Sequence, residues 1–275
     1  TGTVTGSRFL LKTAHKQYLI DCGLFQGLKE LRLRNWEPFP ISPEDIDAVI
    51  LTHAHIDHTG YLPRLVHYGF KGTIYATTAT TDLCQILLPD SAHLQEEDAE
   101  YANKKHFSKH SPALPLYTTE DALKALELFK PIAYGSRLQL DDGVSLTFQD
   151  AGHILGSSFI DLRLPIDGEE RRLLFSGDLG RPNQPILRDP HTVFGADYLI
   201  VESTYGDRLH GNEDPKEVMA RIINESIRRG GVLLIPSFAV GRTQELLYTI
   251  RELEEANRIP HLPIYMDSPL AIKAT

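Results

Sequence analysis

Cysteine is scarce in this 275-residue chain: Cys22 and Cys84 are its two, and they form no C-x-x-C pair. They read as reduced core residues rather than a disulfide, which points to the cytoplasm. Long apolar runs are missing as well. None approaches the ~20 residues of a membrane span, and no secretory apolar segment lies near the start. Internal repeats and low-complexity segments are absent. Positive charge is not in excess: the net charge of -9 argues against indiscriminate nucleic-acid binding, although a local basic groove and metal ions can offset it where an anionic substrate binds. An initiating methionine is missing. The chain enters a strand almost at once, and "IYMDSPLAIKAT" stops just after a strand-like run and a helix-like start. Both ends read as cut, and a fragment of a longer protein is expected.

The length suits one large domain or two smaller ones, and a hydrophobic content of 41% supports a substantial core. "SRFLLKT" and "KQYLIDCG" read as strands joined by a turn at Ala14-His15. "IDAVILTHAH" is a buried strand. "GYLPRLVHYG" is a short helix stopped near Gly69. "GTIYATTATTDLCQILLPDSAHL" is a strand and then a helix that runs on through the solvated acidic patch "LQEEDAEY". "TTEDALKALELF" is a helix with a Thr118-x-x-Asp121 capping pattern. Strands then dominate, in "SLTFQDAGH", "SSFIDLRLP", "RRLLFSGDLG" and "ADYLIVESTYG". Beyond Asp207 the pattern changes: an amphipathic helix in "PKEVMARIINESIRRGG", a strand "VLLIP", a loop "SFAVGR", a helix "TQELLYTIRELEEA" and a further strand "LPIYMDSP". This is a strand–loop–helix unit of the α/β kind.

The polar residues follow strands. Asp21 ends "YLID", His53 ends "AVILTH", His153 follows "LTFQDAG", Asp178 ends "LLFSGD", and Glu202 ends "YLIVE", taken as a buried strand. Side chains placed after strands of a common sheet can converge on one edge. The densest stretch, "LTHAHIDHTG", carries three histidines and an aspartate in H-x-H-x-D-H spacing. A loop can hold histidines by chance, but imidazole nitrogen with carboxylate oxygen suits zinc, manganese or iron. His53 and His55, two apart, point to one side of an extended chain. Asp57 and His58 are adjacent and diverge unless the chain turns, and Thr59-Gly60 with the following helix is expected to supply that turn. Two diverging pairs suit two neighbouring metals, and a pair about 3.5–4 Å apart suits phosphoester hydrolysis. His153, between glycines that let the backbone bend, and Asp178 add an imidazole and a carboxylate able to bridge. Alone, each would read as an ordinary loop histidine and turn aspartate. His15, His67, His93, His106, His110, His191, His210 and His261 have no such company and read as surface or structural.

"THAHIDHTG", "GHILGS", "FSGDLG" and the early "DCG" together resemble the metallo-β-lactamase superfamily, a four-layered αββα sandwich with metals at the sheet edge. "VESTYG" and "GGVLLIPSFAVGRTQELL" resemble its β-CASP branch, which processes nucleic acids, and within it the RNA-cleaving bacterial and archaeal relatives of the polyadenylation-specificity endonuclease. The resemblance implies an α/β (α+β) fold, with the metallo-β-lactamase domain over residues 1–206 and the start of an inserted α/β β-CASP domain, truncated, over residues 207–275. It implies two zinc ions: one held by His53, His55 and His153, the other by Asp57 and His58, with Asp178 bridging. Asp21 would steady ligand imidazoles through hydrogen bonds. Glu202 would orient a histidine acting as general acid. That histidine, and a further zinc ligand, would lie past Thr275. Asp57 or Asp178 could take the proton of the attacking water.

The function so implied is zinc-dependent hydrolysis of phosphodiesters in single-stranded RNA, endonucleolytic with 5′-exonuclease action left open, in a cytoplasmic protein without a membrane partner; a homodimer is left open. Two other classes compete. A hydrolase of a small thioester, lactone or β-lactam would share the metal motif but needs no second α/β unit roofing its site. A non-catalytic RNA-binding subunit would be expected to lose ligands, yet all six are present. "PSFAVGRTQE" leads into a helix N-terminus, where free N–H groups favour anions. Ser237 and Arg242 are candidate phosphate contacts there; the alternative is that Gly241 makes a turn and Arg242 pairs with Glu245.

Overall fold

The computed structural model describes residues 2–209, 211 and 213–275. His210 therefore lies outside the described residues. The chain divides into two compact units, Thr1–Pro182 with Asp189–Glu202, and Asn183–Arg188 with Ser203–Thr275.

The first unit is built on two five-stranded sheets. One contains β1 (Phe9–Lys12), β2 (Gln17–Ile20), β3 (Ala48–Ile50), β4 (Thr73–Thr77) and β5 (Phe129–Ile132), in that spatial order. The β1–β2 hairpin is antiparallel, and the remaining pairs are parallel. The other sheet runs β10 (Tyr198–Ile200), β9 (Glu169–Phe175), β8 (Ser158–Ile166), β7 (Ser145–Asp150), β6 (Arg137–Gln139). It is antiparallel except where β10 joins β9.

Side-chain alternation explains why the sheets stack. Tyr18 and Ile20 of β2, and Ala48 and Ile50 of β3, share one core with Leu146 and Phe148 of β7 and Ile160 and Leu162 of β8. Phe159, one residue out of phase, joins Ala151 and Leu174 in a separate cluster, as the period of two requires. Every residue of β3 is buried, the pattern of a parallel strand covered on both faces.

Helices α1 (Lys29–Leu33), α2 (Ile56–Thr59), α3 (Leu62–His67), α4 (Thr78–Lys105) and α5 (Thr119–Leu126) complete this unit. Helix α4 packs on β4, β5 and α5, and it runs through the acidic patch as expected. Thr118 and Asp121 form the reciprocal capping box at the start of α5. No described helix is long and apolar enough to cross a membrane.

The second unit has its own core. Ala220 and Ile223 of α6 (Pro215–Arg228) meet Ile250 and Leu253 of α7 (Arg242–Glu255), together with Ile259. A short helix, α8 (Pro269–Ala274), follows. Two expectations fail here. "VLLIP" and "LPIYMDSP" are not strands among the described residues, and Val232 and Leu234 are 95% and 86% exposed. An apolar run becomes a strand only when a neighbour takes up its N–H and C=O groups, and no described strand pairs with either run. A third expectation also needs correction. The strand before Glu202 is not buried: β10 is an edge strand with Tyr198 and Leu199 half exposed.

Phe148 is fully buried between the sheets. Phe148→Ala is expected to cost about 3–5 kcal/mol, read as a lower urea midpoint at unchanged slope. Glu120→Ala, which removes an exposed ion pair with Lys124, should leave the urea midpoint essentially unchanged, because water screens such a pair.

Candidate metal centre

Strand β3 delivers the chain into a buried stretch, Leu51 to Ala54, in which His53 is completely covered. The Leu51 N–H donates to Tyr75 O at 2.9 Å, which carries the β3 line past its formal end. The chain then turns earlier than expected. Helix α2 begins at Ile56, directly after His55, whose carbonyl accepts from the N–H groups of His58 and Thr59 at 2.9 Å each. Asp57 and His58 are thus neighbours on a helical turn, about 100° apart, and the turn is made by α2 itself, from Ile56, rather than by Thr59-Gly60.

His153 and Asp178 arrive from the other sheet. Gly152 and Gly156, at φ 63° and 85°, flank the His153 loop, and the His153 N–H donates to Ser157 Oγ at 2.9 Å. The Asp178 loop lies directly on it. The Gly180 N–H donates to Ala151 O at 2.9 Å, and a Cβ on Gly180 would come within 1.9 Å of Gly152 O. Only glycine permits that approach.

Four donors then converge. One atom each from His53, His55, His153 and Asp178 lie within 4.8 Å of one another. His55 Nδ1 is 3.1 Å from His53 Nε2 and 3.2 Å from His153 Nε2. Asp178 Oδ2 is 3.5 Å from His153 Nε2 and 3.8 Å from His53 Nε2. Zinc bonds of about 2.0–2.1 Å in a tetrahedron imply donor separations of about 3.3–3.4 Å, so the donor set fits a cation. The other carboxylate oxygen, Oδ1, faces His58 Nε2 at 3.2 Å, and Asp57 Oδ2 is 3.8 Å from the same nitrogen.

Behind these donors sits a residue the sequence reading passed over. Thr52 Oγ1 lies 2.9 and 3.0 Å from the two oxygens of Asp21 and 3.0 Å from His53 Nδ1. A hydroxyl that gives its one proton to a carboxylate can only accept from the imidazole. His53 Nδ1 therefore carries the proton, and Nε2 turns a lone pair to the site. Asp21 Oδ2 accepts the Nδ1 proton of His58, at 2.7 Å. The signal for Thr52 was its place, immediately before His53 at a strand end.

Glu202 reaches the same edge: the Leu179 N–H donates to its Oε1 at 3.3 Å, and its own N–H donates to Ser176 Oγ at 3.0 Å. Ser237 and Arg242 belong to the second unit. Ser237 Oγ is 2.8 Å from Thr243 Oγ1, and Arg242 Nη1 is 2.9 Å from Glu245 Oε2, the pairing offered as the alternative to phosphate contact.

Residues 2–213 match the Metallo-beta-lactamase superfamily. The chain belongs to that superfamily. It is 41% identical to "Ribonuclease TTHA0252" of Thermus thermophilus over 98% of this chain and 56% of the relative. It is 34% identical to "Transcription termination factor FttA" of Methanocaldococcus jannaschii over 94% of this chain and 39% of that one. An "RNase J-like protein" of the same archaeon is 31% identical over 94% of this chain and 55% of its own length. The chain spans about half the length of the curated relatives it matches.

The metal-free charges of this metallo-β-lactamase centre divide into two halves. Burial and three neighbouring imidazoles hold His53 neutral, well below its ordinary value. Burial, helped by His153 and opposed by Asp178, brings His55 down to about 4. Burial also opposes charge on His58, but the Asp21 and Asp178 carboxylates outweigh it and hold the imidazolium well above the ordinary range. The unfolded chain protonates His55 near 6.5, so acid favours unfolding between these values. His55 therefore stabilises the metal-free fold above about 6.5, and that contribution is lost as pH falls through 4. His58 acts in the opposite sense: it stabilises below its ordinary value and loses that effect as pH rises through its elevated one. Urea midpoints measured with chelator should fall less steeply for His55→Gln than for the parent between pH 6.5 and 4.

Proposed function

We propose that this protein is a zinc-dependent ribonuclease that hydrolyses phosphodiester bonds of single-stranded RNA. The observation that carries this reading is Asp178, which turns one oxygen to the His53/His55/His153 cluster and the other to His58. A carboxylate so divided suits a bridge between two cations, and the ribonuclease named among the relatives supplies the substrate class. In this reading His53, His55 and His153 would hold one ion, Asp57 and His58 the other, and Asp178 would serve both. When bound, divalent ions would supply Lewis acidity, which lowers the pKa of water and offsets the charge that builds on a phosphodiester.

The protein's own groups do the rest. Asp21 and Thr52 hold the ring protons of His58 and His53 at Nδ1 and so keep both Nε2 lone pairs aimed at the site. Asp57 or Asp178 accepts the proton of the attacking water; burial raises the Asp57 carboxyl above its ordinary value, whereas the surrounding imidazoles, His58 foremost, outweigh burial at Asp178 and hold it below. Glu202, bonded to the N–H beside Asp178, orients the general acid. Residues 1–206 are assigned to the metallo-β-lactamase domain and residues 207–275 to a β-CASP domain, supported by the separate core of the second unit. Ser237 and Arg242 are its phosphate contacts, Arg242 exchanging Glu245 for the substrate. The protein acts in the cytoplasm in RNA processing or decay.

In full-length protein, Asp178→Asn should lower cleavage of a single-stranded RNA by about a hundredfold or more, and Thr52→Val by about 10–100-fold. Thioesters and β-lactams should remain untouched. Undiminished cleavage by Asp178→Asn removes the bridge, and thioester turnover without RNA cleavage overturns the substrate class.

A further inference from the structure

Arg8 lies in none of the motifs that define the centre, yet it is partly buried, against Gly23 and the ring of Tyr61. Its Nε and Nη2 both donate to the Gly23 carbonyl, at 2.9 and 2.7 Å. Its guanidinium lies 4.0 Å from the ring centre of Tyr61 and 5.2 and 5.4 Å from those of Phe25 and Phe39. Among the described residues no carboxylate pairs with it. Burial lowers its pKa against the raising effects of Cys22 and Tyr61, and the aromatic faces take the place of a counter-ion.

The grip on Gly23 matters because of what Gly23 touches. A Cβ there would fall 1.5 Å from Asp57 O, so the two backbones lie in direct contact. Gly23 N–H donates to Ser7 O at 3.0 Å, and Ser7 N–H donates to Asp57 O at 2.9 Å. Cys22 N–H donates to His58 O at 2.7 Å, and Leu24 N–H to Ile56 O at 3.0 Å. The carbonyls of Ile56, Asp57 and His58 are thus all held by residues 7 and 22–24. Helix α2 has four residues, too few to hold its own shape. The clasp holds its first three carbonyls, and Arg8 grips the residue at the centre of the clasp. A fork of two donors on one carbonyl fixes the angle as well as the distance, which a lysine ammonium does not do.

We infer that Arg8 is a positioning residue for the Asp57–His58 half of the metal centre. It acts through the Gly23 carbonyl on the backbone that carries both side chains. The His53/His153 half is fixed elsewhere, by Thr52 and Ser157, and does not depend on it. The inference rests on the two-ion reading above.

The test is calorimetric titration of zinc into chelator-stripped full-length protein, with thermal unfolding as a check on the fold. The parent should take up two equivalents. In Arg8→Met the first equivalent should bind within about threefold of the parent, and the second about 10–100-fold more weakly. Arg8→Lys keeps the charge without the fork; it should lose the same equivalent and carries the comparison if the methionine variant does not fold. Parent-like binding of both equivalents by the variants overturns the inference. Equal weakening of both equivalents also overturns it, because Arg8 would then support the domain as a whole. A parent that binds only one equivalent overturns the two-ion reading first, and this inference with it.

Discussion

Everything at the metal edge hangs on one buried carboxylate. Asp21 is 1% exposed and sits at the end of β2 with φ 56°, a conformation that costs a non-glycine residue energy. Burying an ionised carboxylate costs far more unless donors surround it. Here they do. The Thr52 N–H, the Thr52 hydroxyl, the His58 ring and the Ser7 hydroxyl all reach it. Those four donors come from the start of the chain, the end of β3 and α2. A single carboxylate thereby joins the start of the chain and the end of β2 to the segment that runs from β3 into α2. It also sets the ring orientation of His58 directly and that of His53 through Thr52.

The sandwich makes that knot useful. The first sheet is mainly parallel and the second mainly antiparallel, but their ends meet along one edge. Thr52 O accepts from both the N–H and the hydroxyl of Ser158, and this stitches the β3 extension to the start of β8. The loops bearing His153 and Asp178 are then held within hydrogen-bonding reach of His55 and His58 by a rigid core, not by their own sequence. Such a scaffold explains how His55 Nδ1 can be kept 3.1 Å from His53 Nε2 and 3.2 Å from His153 Nε2, a separation that bare lone pairs resist and a cation relieves.

Much of this was legible beforehand, for local reasons. H-x-H-x-D-H after an apolar strand, the capping box at Thr118 and the alternating strands of the second sheet are patterns whose meaning is carried within a few residues. The early turn at Ile56 was misplaced because four residues of helix have no periodicity to read. "VLLIP" has the composition of a strand, but a strand is a relation between segments, and no described strand answers it. Thr52 and Arg8 escaped notice for a related reason: a threonine or arginine shows nothing until its partners are known.

The sequence by itself determined the chemical types of the donors, the strand ends that present them and the family to which the chain belongs, because these depend on spacing and side-chain chemistry. The tertiary structure alone decided which oxygen of Asp178 faces which histidine, which ring nitrogens carry protons, and that a buried guanidinium grips the Gly23 carbonyl. Those facts are set by polar contacts between residues far apart in the chain, such as Asp178 with His53 and His58, and distances across a fold are written in its packing, not in the order of its residues.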